Sequence, residues 1–151
     1  QAGVAGSLNR FISNNVRNFA MKYLLPFEIL KSYMTVGVKD GDPDVSCSHD
    51  DFVTMIRRVL AGIEIDEAWY LDRYPDIADA IENGIVTSAQ QHFVNDGYFE
   101  GRQPFPMHVN ERWYLMNNTG VADFVRQGKM ESGQRHFEEN GYKEGRLPFT
   151  L

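Results

Sequence analysis

The sequence predicts an all-α protein, a short-helix tandem repeat pair packed with an N-terminal amphipathic helical arm and a helix pair. Three observations carry that expectation. Residues 66–105 and 110–149 align without a gap at an offset of 44, with 18 identities in 40 positions. Apolar residues near the start recur at three- and four-residue steps, the period of a helix with one buried face. Capping residues and glycines stand between the apolar stretches, where helices begin and end. At 151 residues, 42% apolar and 24% charged, the chain can bury a core and has ordinary globular composition.

Residues 1–36 form the predicted arm. Leu8, Phe11, Ile12, Val16, Phe19 and Tyr23 make one stripe, while Arg10, Asn14, Arg17 and Asn18 fall on other faces. Pro26 breaks this helix, since proline lacks the backbone donor and disfavours helical geometry at Leu25. A second short helix is expected over 27–36, ended by Gly37. The arm carries four basic groups and one acidic; the other 115 residues carry 11 basic and 20 acidic. So acidic a body repels phosphate backbones, which excludes nucleic acid as a partner for the repeats. Packing on the same chain, homo-oligomerisation or docking to a protein partner, and peripheral membrane contact, in that order, would each occupy the stripe.

Residues 37–65 are expected to be an acidic loop followed by a helix. Asp40, Asp42, Asp44 and Asp51, with Ser48, stand at ligand positions of a calcium loop, because alternate carboxylates suit a hard cation. Val45 occupies the place that needs glycine, and Asp51 is shorter than the bidentate glutamate. A solvated turn is therefore preferred, with no metal or cofactor, and Ser48 with Asp51 starts the next helix as a capping box. Cys47, alone and flanked by acids, is expected to be inert.

Each repeat reads as three short helices. Asp66 and Asn110 are N-caps for the first, and Pro75 opens the second at its first position. Gly84 and Gly128 end the second; Ser88 and Ser132 open the third, and Gly97 and Gly141 close it. The pattern Trp-Tyr-Leu, Pro-Asp-Ile-Ala, His-Phe, Gly-Tyr, Glu-Gly-Arg, Pro resembles a bacterial module that accompanies glycosyltransferases, methyltransferases and surface-polysaccharide pathway proteins. The resemblance covers residues 66–105, and 110–149 with Thr119-Gly120 in place of Pro-Asp. It implies a bacterial, cytoplasmic accessory protein and carries no catalytic residue.

Two constellations are candidates for function. His92, Glu100 and Arg102, with His136, Glu144 and Arg146, combine a base, a carboxylate and an anion-holding fork. No nucleophile or second acid accompanies them, so fastening the strap after the third helix is the preferred role. Trp69, Tyr70, Tyr98, Trp113, Tyr114 and Tyr142 could offer flat faces to sugars or proteins, although the tryptophans are expected to pack in the core. The leading expectation is a non-enzymatic protein-interaction or scaffold module. Glycan binding through the repeat aromatics is second, and an enzyme using the His/Glu/Arg sets third. The chain starts at Gln1, from which a processed or truncated product is expected. No secretion signal or membrane-spanning run is recognised.

Overall fold

A computed structural model describes residues 21–151. Leu8, Phe11, Ile12, Val16 and Phe19 of the predicted interface lie outside the described residues. The fold is mainly helical but carries a small antiparallel hairpin, so the all-α expectation is corrected. Helix α1 (Phe27–Lys31) leads into strands β1 (Thr35–Lys39) and β2 (Asp42–Ser46), followed by helix α2 (His49–Leu60). Then come α3 (Glu67–Arg73), α4 (Pro75–Glu82) and α5 (Ala89–His92), the last continuing as a π-helical turn, Phe93–Gly97. Helices α6 (Glu111–Asn117), α7 (Thr119–Arg126) and α8 (Gly133–His136), with a π turn Phe137–Gly141, follow at bounds displaced by 44 residues.

The hairpin replaces both the end of the predicted 27–36 helix and the predicted acidic loop. Its cause is local. Asp40 and Gly41 both have positive φ, 53° and 92°, the geometry of a two-residue turn whose twist matches paired strands. Val36 pairs with Val45 and Val38 with Pro43, which places all four on one face and Lys39, Asp42 and Asp44 on the other. Pro43 is tolerated because a two-stranded ribbon has only edges. Every residue of both strands is exposed.

Residues 21–26, before α1, are not helical either. Lys22 N–H donates to the Gly62 carbonyl at 2.8 Å, and Met21 bridges Ile63. Gly62 is required there, because a Cβ would stand 1.9 Å from the Tyr23 carbonyl oxygen. Lys22 Nζ meets Glu64 at 2.8 Å, an exposed ion pair between a basic group of the arm and an acidic one after α2. Tyr23 itself is exposed.

Two apolar clusters form the interior. The first gathers Leu60, Ile65, Tyr70, Ile77, Ala89 and Phe93. Tyr114, Val121 and Phe137 make the second, with Met107 and Val109 against it. Helix α2 covers only the first segment: Ile56 and Leu60 join its core, and Arg57 Nη2 donates to the Asn95 carbonyl at 2.8 Å. Ser48 Oγ accepts from Asp51 N–H at 3.0 Å and donates to its carboxylate at 2.7 Å, so the serine caps the helix, but the reciprocal bond runs from its hydroxyl and not from its backbone N–H as in a capping box. Asp66 and Asn110 each accept from the tryptophan N–H three residues on, at 3.1 Å. Each segment also closes on itself. Asp66 N–H donates to the Pro104 carbonyl at 3.0 Å, and Asn110 N–H to that of Pro148 at 2.9 Å.

Candidate functional site

The expected polar set divides into two separate devices. His92 does not meet Glu100. Its Nδ1 lies 3.0 Å from the Tyr70 hydroxyl, and His136 Nδ1 lies 2.9 Å from that of Tyr114. Both tyrosines are 0% exposed, and the histidines 7% and 8%. The π turns make the pairing fit. They bring Gly97 and Gly141 against the hydroxyls, and a Cβ at either glycine would stand 2.3 Å from the phenolic oxygen. Burial pushes the Tyr70 and Tyr114 hydroxyls up from their ordinary value, which keeps them protonated as hydrogen-bonding groups.

The repeat aromatics divide in the same way. Tyr70 and Tyr114 fill the cores and have no face to offer a ligand, while Trp69 and Trp113 are half-buried at the core margin. Adjacent helical residues point about 100° apart, so only one of each pair faces inward. The slimmer tyrosine takes that place because its hydroxyl has the histidine as partner. Tyr98 remains exposed, and Tyr142 is half-buried with its hydroxyl pushed up by burial.

The arginines form the second device. Arg102 donates to Asp76 through Nη1 at 3.0 Å and Nη2 at 2.8 Å, and through Nε to Glu100 at 2.6 Å. Its guanidinium lies 4.9 Å from the centre of the Tyr74 ring. Two carboxylates raise the Arg102 pKa, and the Arg102 hydrogen bond holds the Asp76 carboxyl below the usual range. The expected fastening of the strap is thus real, but its partner is Asp76 rather than a histidine. In the second segment Gly120 takes the place of Asp76 and Asn118 that of Tyr74. Arg146 Nε donates to Glu144, Nη1 to the Asn118 side-chain oxygen, and the Glu144 carboxyl is lowered by Arg146.

Two clefts adjoin these groups. One, of about 310 Å³, lies between the segments and is lined by Tyr74, Arg102 and Gln103 with Glu138, Tyr142 and Lys143. Gln103 is buried there, and its Nε2 finds no acceptor among the described residues. The other, of about 640 Å³, is lined by Asn118, Gly120, Phe124, His136, Glu144 and Arg146 among others. His136 reaches this cleft beside Glu144 and Arg146, yet its Nδ1 is taken by Tyr114.

Asp40 sits in the hairpin turn, Asp42 and Asp44 on a strand and Asp51 in α2. Asp51 accepts from the Ser48 hydroxyl at 2.7 Å. Among the described residues no three His, Cys, Asp or Glu side chains gather as metal ligands. Sequence reasoning also missed Gln90 and Gln134, identical at the 44-residue offset. Gln90 Nε2 donates to the Ile63 carbonyl at 3.0 Å. Gln134 Nε2 donates to that of Met107 at 2.9 Å, and Gln134 Oε1 accepts from Val109 N–H at 2.7 Å. No helix among the described residues is long and apolar enough to cross a membrane. No family model, curated protein or solved structure matches the chain.

Proposed function

We propose that the chain is a non-enzymatic interaction module in which one helical folding unit is used twice. On this reading it joins a protein partner or a second copy through its N-terminal end. The observation that carries the reading is the hairpin. Val36, Val38, Pro43 and Val45 share one face of a ribbon whose every residue is exposed. A contiguous apolar face with a polar reverse side is the pattern of a surface that becomes covered. Burial of both His–Tyr pairs supports the non-enzymatic part, since Nδ1 of each ring is committed to a phenol inside the core. The resemblance of the repeated pattern to modules of bacterial surface-polysaccharide pathways makes a protein of such a pathway the partner we propose.

Light scattering and co-purification from the native host test this reading. Val38→Glu with Val45→Glu is expected to reduce a dimer to a monomer or to release the co-purifying partner, with far-ultraviolet circular dichroism unchanged. Deleting residues 1–25 is expected to weaken the same association. Unchanged mass and unchanged partner recovery in both variants would remove the proposal.

Glycan binding is a second reading, favoured by the cleft between the segments. Tyr74 and Tyr142 line it, with Arg102 and the unsatisfied amide of Gln103, and sugars are held by such mixtures of rings and amides. Tyr70 and Tyr114 drop out of that set. Tryptophan and tyrosine fluorescence titrated against neutral and acidic oligosaccharides tests it, and a flat response across the panel would end it.

A further inference from the structure

The two segments treat the same arginine differently. Arg102 is held between Asp76 and Glu100, is 20% exposed, and uses both terminal nitrogens on the Asp76 carboxylate. Arg146 keeps the matching glutamate but loses the aspartate, because position 120 is glycine; its side chain is 36% exposed. Nη2 of Arg146 has no hydrogen-bond partner among the described residues. Space has opened as well as charge. The Tyr74 ring that lies under Arg102 is replaced by Asn118, and a Cβ built on Gly120 meets nothing within 4 Å. The resulting cleft of about 640 Å³ reaches Arg146.

From this comparison we propose that the cleft of the second segment binds a ligand bearing a single carboxylate, which takes the place that the Asp76 side chain fills in the first. A carboxylate accepts from a guanidinium nitrogen as Asp76 does from Arg102 Nη2, and at Arg146 it meets Nη2, since Nη1 is held by Asn118. One charge suffices. Glu144 already occupies Nε, and Asp123 at the rim is paired with Arg126. A dianion would face those carboxylates and the acidic body of the chain. Phe124, exposed at the edge of the cleft, offers apolar contact to whatever carries the carboxylate. The site shares no residue with the hairpin and stands or falls separately from it.

The test is a titration followed by NMR on the full chain, reading Arg146 Nε–H and the amides of Thr119 and Val121. N-acetyl-aspartate amide and glucuronate are the two acidic probes; N-acetyl-asparagine amide and glucose are their neutral counterparts. Saturable shifts with either acid and none with the neutral compounds are expected, and the tighter acid identifies an amino-acid or a sugar source. Gly120→Asp restores the internal carboxylate and is expected to weaken binding by about tenfold or more, as loss of a charged hydrogen-bond pair does. Arg146→Gln is expected to weaken it equally, with the circular dichroism of the parent in both variants. Equal response to neutral probes, tighter binding of inorganic phosphate, or undiminished binding in Gly120→Asp would each overturn the assignment.

Discussion

The phenolic oxygen of Tyr70 and Nδ1 of His92 stand 3.0 Å apart, beside a residue that can have no side chain, Gly97. This contact joins the first helix of the segment to the third and explains both the π turn and its glycine. A methyl group at position 97 would overlap the hydroxyl. Gly97→Ala is therefore expected to cost about 2 kcal/mol or more, the usual penalty for overpacking a filled interior. Gly141→Ala is expected to do the same through Tyr114. Urea denaturation measures both, and a loss under about 0.5 kcal/mol, the range of neutral surface changes, would contradict the packing.

Tyrosine ionisation reports on the same contact. Burial raises the Tyr70 and Tyr114 phenols, so the folded chain keeps protons that the unfolded chain releases near pH 10. The stabilisation is fully present below that pH and is lost as pH rises beyond it toward the folded values. Phenolate absorbance should show a late phase that coincides with loss of circular dichroism. Replacing Tyr70 by Phe is expected to shrink that phase. It is also expected to cost about 1–2 kcal/mol, because His92 Nδ1 loses its partner.

Asp76 governs the acid limb. Its hydrogen bond from Arg102 lowers its carboxyl pKa, so its stabilisation is present above about pH 4 and is lost as pH falls below that value. The side chain is 59% exposed, which limits the pair to about 0.5–1 kcal/mol at neutral pH. Asp76→Asn should flatten the pH dependence of stability below pH 5 and leave the alkaline limb unchanged.

The two half-buried glutamines rank in a predictable order. Gln90 satisfies one backbone carbonyl, whereas Gln134 satisfies a carbonyl and an N–H. Gln90→Ala is expected to cost about 1 kcal/mol and Gln134→Ala about twice that, by thermal or urea unfolding. The reverse order would mean that water replaces the Met107 and Val109 contacts.

Local chemistry in this chain is legible where one side chain meets a nearby backbone group. Ser48, Asp66, Ser88, Asn110 and Ser132 all cap helices as their types predict. The hairpin was also readable, since Asp40-Gly41 lies between alternating valines, the strongest short hairpin signal. The solvated turn expected at these residues has the right turn formers but lacks the paired strands on either side. Neither π turn was readable, because a π turn breaks the helical period and depends on where a tyrosine 27 residues earlier places its hydroxyl. Choice of tyrosine over tryptophan for the core rests on the same distant contact. The contrast between Arg102 and Arg146 depends on the fold, which brings position 76 to one arginine and leaves glycine at the matching place beside the other.

The backbone bonds from Asp66 to Pro104 and from Asn110 to Pro148 tie the end of each segment to its own beginning. Entry and exit are therefore brought side by side in both units, and each has an apolar cluster of its own. Each unit can then keep its own closure while differing at a single position, as it does with aspartate at 76 and glycine at 120.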